Sequence, residues 1–167
     1  FAGLAPTAIA VINCDDPHIS RVAAGLRCRR QDFGADRPVS ARNITPDGLR
    51  GIRFDLVATG ASAPVRLPLL GRHNVGNAVA AAAAAFALGV GIDAIVAGLE
   101  SAAPAPMRLS VERLPNGVDL INDAYNANPG SMRAALSALE GVADHCTVVL
   151  GEIAGAPPPT ILADALA

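Results

Sequence analysis

Of the 167 residues, 35 are alanine and 13 arginine, and lysine is absent. The missing lysine excludes Schiff-base chemistry and any lysine-bearing phosphate loop of the G-x-x-x-x-G-K-[ST] kind within these residues. Acidic residues slightly outnumber basic ones, for a formal net charge of −2 and a pI of about 5.9. That balance argues against a nucleic-acid surface, because tracking phosphates takes clustered positive charge.

A 51% hydrophobic chain can bury a real core. Its longest apolar run, Ala78 to Val90, includes Gly89 and is too short for the ~20 residues of a bilayer span, so no membrane insertion is expected. The sequence opens on Phe1 with no charged n-region, so no signal peptide is expected from these residues. Cys14, Cys28 and Cys146 are odd in number and lack C-x-x-C spacing, as reduced thiols of a cytoplasmic protein would. Arg27, Arg29 and Arg30 fit a solvated turn.

In chain order, Thr7 to Asn13 is a β-branched apolar run expected to form a buried parallel strand, followed by a short helix from His18 to Leu26. Gln31 to Asp47 is polar and irregular. Arg50 to Val57 alternates, with Ile52, Phe54 and Leu56 on one face, and Val65 to Leu69 is its hairpin candidate, kept short by Pro68. Asn74 to Leu88 is the clearest helix, closed by Gly89, and Ile92 to Leu99 is a second. Ser101 to Pro106 is a proline-punctuated linker. Beyond it, Arg108 to Leu114 and Val118 to Asn122 flank Pro115-Asn116-Gly117, a strong hairpin signal. Ser131 is placed as the N-cap of a helix to about Leu139, and Thr147 to Leu150 as another buried strand. Gly155 to Thr160 is unlike a strand-to-helix loop. Strand and helix alternate on both sides of the linker, which predicts an α/β architecture with largely parallel sheets.

Two constellations carry candidate chemistry. His73, Asn74 and Asn77 share one face at the mouth of an otherwise apolar, alanine-rich helix, where backbone N–H groups and the dipole favour anions or ligand oxygens. Simple capping, with Asn77 bonded to a neighbouring loop, is the alternative. The second runs from Ile121 to Met132. Asp123 follows a strand end, where ligands bind in open α/β sheets, and Tyr125, Asn126 and Asn128 add donors and acceptors. An Asx-rich turn satisfying its own backbone is the alternative there. Arg108 could clamp a phosphate bidentately or simply be a surface arginine. Asp15-Asp16-Pro17-His18 is better explained as a solvated loop than as a metal or acid–base site, and His145-Cys146 as core or structural.

Leu70-Gly71-Arg72-His73-Asn74-Val75-Gly76-Asn77-Ala78 resembles the G-x-H-N-x-x-N-x-x-A-A segment of the Mur ligase superfamily. Asp123-Ala124-Tyr125-Asn126-Ala127-Asn128-Pro129-Gly130-Ser131-Met132 resembles the D-A-Y-N-A-N-P-x-S-M signature of its MurF-type branch, which joins D-alanyl-D-alanine to UDP-N-acetylmuramoyl-tripeptide in peptidoglycan synthesis. The similarity extends from about Ala8 to Leu150.

The resemblance implies part of a central ATPase-type α/β domain over residues 1–103, followed by part of a Rossmann-like C-terminal domain over 104–167. It implies ATP and Mg2+, an acyl-phosphate intermediate with ADP and phosphate released, and a cytoplasmic monomer. Position by position, it places His73, Asn74, Asn77, Arg108 and Asp123 on ATP, with Asp123 toward the ribose and Arg108 toward the phosphates. Tyr125, Asn126 and Asn128 would help select the amine. The phosphate loop and magnesium ligands the superfamily needs have no counterpart here. These residues are therefore expected to be part of a longer enzyme, without ligase activity by themselves. Alternatives are a related ligase, such as a folylpolyglutamate synthase or a muramoyl-peptide ligase for another amine, and a non-catalytic nucleotide-binding remnant.

Overall fold

The computed structural model describes residues 3–140, 142 and 146–151. Its main sheet has five strands in the order β1 (Ile9–Asn13), β2 (Arg29–Phe33), β3 (Val39–Pro46), β4 (Ile52–Ala58) and β5 (Ala61–Leu67). The β1–β2 and β2–β3 pairs are parallel, whereas β3–β4 and β4–β5 are antiparallel. The α/β class holds, but the sheet is mixed rather than largely parallel. Its antiparallel half arises because Thr59-Gly60 and the turn at 47–51 are short enough only for hairpins.

Among the described residues there are four helices: α1 (Pro17–Ala23), α2 (His73–Ala87), α3 (Ile92–Glu100) and α4 (Pro129–Leu139). Helix α2 packs across β1 to β4, and α3 packs against β5 and α2. The core forms where Phe54, Leu56, Val65 and Leu67 of the sheet meet Val75, Ala78, Val79, Ala82 and Ala83 of α2 and Ile95 of α3. The alternating face of β4 is buried at Ile52, Phe54, Leu56 and Ala58, as its period-two pattern requires. Burying a side chain such as Leu56 contributes about 1.5–3 kcal/mol.

The irregular segment expected from Gln31 to Asp47 instead holds most of β2 and all of β3. Strand β2 reads Arg-Arg-Gln-Asp-Phe, and only Phe33 is buried, so no apolar pattern announces it. Its hydrogen bonds to β1, in register from Ile9↔Arg29 to Asn13↔Phe33, involve only the backbone. In β3 a bulge between Arg42 and Thr45, with Asn43 at φ 53°, interrupts the alternation. Pro64 lies inside β5, a position tolerated because β5 is the outermost strand of the sheet among the described residues.

Helix α1 starts at Pro17, one residue before the expected His18, and ends at Ala23. Asp16 is its N-cap, accepting from the N–H groups of His18 at 2.7 Å and Ile19 at 3.1 Å. Helix α2 ends in two bonds typical of a glycine stop: Val90 N–H to Ala85 O at 3.0 Å and Gly89 N–H to Phe86 O at 2.9 Å, with Gly89 at φ 83°. The linker from Ser101 to Pro106 carries neither helix nor strand. After it, β6 (Ser110–Arg113) and β7 (Asp119–Asn122) form the expected hairpin, with Gly117 at φ 86°.

Helix α4 is capped by Asn128, with Pro129 in its first turn, so Ser131 is not the N-cap but sits three residues inside. Thr147 to Leu150 forms no strand, since no partner strand pairs with it among the described residues, and Val149 is exposed. Cys146 is exposed rather than core. Gly155 to Thr160, like His145, lies outside the described residues.

Two glycines separate close packing from backbone conformation. A Cβ on Gly51 (φ 116°) would lie 2.0 Å from the Leu67 carbonyl oxygen, whereas one on Gly89 would meet nothing within 4 Å. Gly51→Ala is expected to destabilise by about 3 kcal/mol or more, and Gly89→Ala by only about 1–2 kcal/mol. Urea unfolding of both variants checks the order.

Two carboxylates titrate below their ordinary range. The N–H groups of Ile19 and His18 hold the Asp16 carboxyl down, and side-chain hydrogen bonds from Arg50 and then Arg53 do so for Asp47. A lowered folded-state pKa contributes stability above the ordinary carboxylate pKa and loses it as pH falls through the folded value. Asp16→Asn keeps the capping acceptor without the titration. Between pH 5 and pH 2 the variant should therefore lose less stability than the parent, which denaturant midpoints across that range measure.

Candidate functional site

Helix α2 begins without a side-chain cap. Arg72 is its N-cap in helical conformation, and the first N–H groups are taken by tight turns, Asn74 to Gly71 O at 2.9 Å and Val75 to Arg72 O at 3.1 Å. Gly71, at φ 87°, allows this entry, and a Cβ there would collide with the His73 ring. Asn74 donates its amide to Leu70 O at 2.7 Å, and Asn77 donates to Asn74 Oδ1 at 3.0 Å. The two side chains thus form a ladder running out of the preceding loop along the helix. Asn77 bonds to this neighbouring rung rather than to another loop, and its side-chain oxygen takes no further hydrogen bond among the described residues.

Asn77, the outer rung, faces a cleft of about 610 Å³. Asn13 and Asp15 line it from the end of β1, Gly34 from the loop after β2, and His73, Gly76 and Asn77 from α2. The Asp15 carboxylate grips the Ala35 N–H with both oxygens, at 3.0 and 3.2 Å. Gly34 (φ 142°) leaves room for it, because a Cβ there would come within 2.6 Å of that carboxylate. Asp15 and Asp16 are therefore occupied in the fold, one closing the loop after β2 and the other capping α1. Sequence reasoning did not assign Asn13, Asp15 and Gly34 to this cleft. Their signal was position: Asn13 to Asp16 follow the carboxyl end of a parallel strand.

Asp123 meets the chain just after the linker, beside Arg108. Asp123 Oδ1 accepts from the Leu109 N–H at 3.1 Å, and the Tyr125 N–H donates to Met107 O at 3.1 Å. Arg108 is thus held between two bonded neighbours, Met107 and Leu109, both with left-handed φ of 59° and 50°. Its guanidinium carbon lies 4.1 Å from the centre of the Tyr125 ring, a cation–π contact worth about 0.5–1 kcal/mol at an exposed site. Leu109 is buried, and its Cδ1 lies 3.3 Å from where a Gly71 Cβ would be. That contact brings the linker against the start of α2, so Asp123 and His73 are anchored to adjoining backbone. A smaller cleft of about 420 Å³ opens between Gly71 to His73, the turn at 46–51 and Ala134 and Ser137 of α4.

The asparagines of the second constellation satisfy local backbone. Asn122 Oδ1 accepts from Ala124 N–H at 3.1 Å, Asn126 Oδ1 from Ala127 N–H at 2.9 Å, and Asn128 Oδ1 from Ser131 N–H at 2.9 Å. The last is reciprocated by the Asn128 N–H to Ser131 Oγ at 3.0 Å. The Asx-rich turn is present, and it leaves the amide nitrogens of Asn126 and Asn128 outside these bonds.

Residues 1–85 match the Mur ligase middle domain. The chain belongs to the Mur ligase family. The UDP-N-acetylmuramoyl-tripeptide–D-alanyl-D-alanine ligase of Mycobacterium tuberculosis is 39% identical over 153 residues, covering 86% of this chain and 30% of the relative. The Escherichia coli ligase of that name is 35% identical over 158 residues, covering 92% of this chain and 35% of the relative. The Mur ligase chain described here thus spans about a third of these relatives' length. Among solved structures, the UDP-N-acetylmuramoylalanyl-D-glutamyl-2,6-diaminopimelate–D-alanyl-D-alanyl ligase of Acinetobacter baumannii superposes with a TM-score of 0.77 at 37% identity, covering 83% of this chain and 31% of its own. The MurF ligase of Thermotoga maritima, solved in complex with ADP, shares the fold with a TM-score of 0.67 at 23% identity, covering 81% of this chain and 31% of its own.

The asparagine ladder separates a structural rung from an open one. Asn74→Ala leaves the Leu70 carbonyl without its donor and is expected to cost about 1–2 kcal/mol. Asn77→Ala, at an exposed position, should change stability by no more than about 0.5 kcal/mol. Chemical denaturation distinguishes the two.

Proposed function

We propose that the chain is part of an ATP-dependent, ADP-forming amide ligase that joins D-alanyl-D-alanine to UDP-N-acetylmuramoyl-tripeptide. Residues 1–103 are assigned to the central ATP-binding domain and 104–167 to the Rossmann-like C-terminal domain. The protein is taken to act as a monomer in the cytoplasm. No helix of the described residues is long and apolar enough to cross a membrane. The observation that carries the reading is the junction of Asp123, Leu109 and Gly71. It sets the signature loop beside the helix start that bears His73, Asn74 and Asn77.

The cleft fits a nucleoside. It has the volume of a small-molecule site, and the Asn77 carbonyl oxygen is free to accept from an exocyclic amine. In this reading Asn74 fixes Asn77, and His73 shapes the helix mouth. The second Asp123 oxygen accepts from a ribose hydroxyl, and Arg108 clamps phosphate oxygens. ATP supplies a phosphoryl group to the peptide carboxylate, giving an acyl phosphate open to attack by the amine. Mg2+ would accompany the ATP phosphates and neutralise their charge, and none of these residues is assigned to hold it. Tyr125, Asn126 and Asn128 are assigned to the amine side, where free amide nitrogens suit the dipeptide's carboxylate. A linker that brings Arg108 and Asp123 to a preformed cleft keeps water from the acyl phosphate until the amine is in place.

ADP release by the intact enzyme tests this assignment. It should require both the UDP-linked tripeptide and D-alanyl-D-alanine; turnover with a free amino acid in place of the dipeptide overturns it. Asp123→Ala should lower kcat/KM for ATP at least tenfold, about 1.4 kcal/mol, and unchanged kinetics would remove Asp123 from the site.

A further inference from the structure

The Tyr125 ring, assigned above to the amine side, also lies under the Arg108 guanidinium. Arg108 has no carboxylate partner among the described ion pairs, and its guanidinium rests on the face of an aromatic ring that is itself 59% exposed. The backbone on either side is tied to the same loop, through Tyr125 N–H to Met107 O and Leu109 N–H to Asp123 Oδ1. The linker and the loop after β7 are thus stapled at two backbone points, with the stack between them. The guanidinium cannot drift far from this loop, and the ring is the surface it meets there. A polyphosphate offers it charge-assisted, bidentate hydrogen bonds, which are stronger than an exposed cation–π contact.

We propose that Tyr125 is a positioning residue for Arg108: its ring face holds the guanidinium on the linker, and a nucleotide polyphosphate takes the guanidinium from it. The proposal rests on the reading of Arg108 as a phosphate ligand and adds the state from which it is recruited. Because the stack exists only in the free state, it competes with the phosphates. A ligand equilibrium shifts by the difference between the two states, so removing the stack favours the bound one.

The test uses the intact protein and MgATP, with binding followed by calorimetry and by tyrosine emission. Tyr125 is the single tyrosine of the 167 residues, which contain no tryptophan, and subtracting the spectrum of Tyr125→Phe isolates its signal. Emission should change saturably as MgATP binds. Arg108→Gln should show the bound-state emission before any nucleotide is added. Tyr125→Leu should bind MgATP roughly two- to fivefold more tightly, the equilibrium worth of an exposed cation–π contact, while Tyr125→Phe, which keeps the ring, returns the affinity to the parent value. Tightening on removal of a side chain is not an effect that structural damage produces.

MgATP binding with unchanged Tyr125 emission, or weaker binding by Tyr125→Leu, overturns the proposal and leaves the nucleotide site standing. No calorimetric binding of MgATP by the parent protein overturns both.

Discussion

How closely α2 lies on the sheet decides where the site can be. Ala78, Ala82 and Ala83 are at most 5% exposed, and they present nothing beyond a Cβ to the strands beneath. A larger side chain at these positions would have to lift the helix or force strained rotamers, since well-packed interiors do not absorb extra methylenes freely. Alanine also has the highest intrinsic helix propensity, which lets α2 form although Arg72 offers it no side-chain cap. With the helix pressed down, Asn77 sits one turn in from the mouth, level with the ends of β1 and β2. The cleft is the gap between a helix that cannot rise and two strand ends that stop short of it.

The rest of the site is held by interactions of graded strength. Asp15 on the Ala35 N–H and Asp123 on the Leu109 N–H are charge-assisted hydrogen bonds to backbone, the stronger class. They set the positions of the loop after β2 and of the linker. The Asn74–Asn77 ladder is a neutral pair worth about 1 kcal/mol per bond. The Arg108–Tyr125 stack is weaker still. This gradient agrees with the proposed roles: the walls of the proposed nucleotide cleft are tied firmly, whereas the arginine proposed to meet phosphate is held loosely enough to leave.

The parts legible in the sequence were those where a side-chain pattern and the backbone agree. The alternation of β4, the Asn-Gly hairpin between β6 and β7, and the alanine helix closed by Gly89 all state their structure in residue types. Strand β2 does not. Arg29 to Asp32 carry no apolar residue, and they become a strand because β1 and β3 lie on either side with free backbone groups. Strand β3 is disguised by its bulge. At α4 two residues suited to capping lie three apart, and Pro129, placed directly after Asn128, decides between them. The site followed the same division. His73, Asn74 and Asn77 stood out as polar residues on an apolar helix, but Asn13 and Asp15 at the end of β1 and Gly34 after β2 come from two segments that only the sheet brings together.

The signature loop illustrates how one stretch of polar residues separates into two kinds. Asn122, Asn126 and Asn128 each turn a carbonyl oxygen back onto an N–H one to three residues ahead. These bonds fold the loop and start α4 without any longer-range partner. Asp123 and Tyr125, interleaved with them, reach the linker instead, one through a carboxylate oxygen and the other through its backbone and ring. Alternation of this sort follows from an extended, tightly turned chain, in which successive side chains leave on different sides. The asparagines make the loop rigid enough that Asp123 and Tyr125 arrive at the linker together. In the proposed recruitment of Arg108, the guanidinium would therefore leave a platform held by these local bonds.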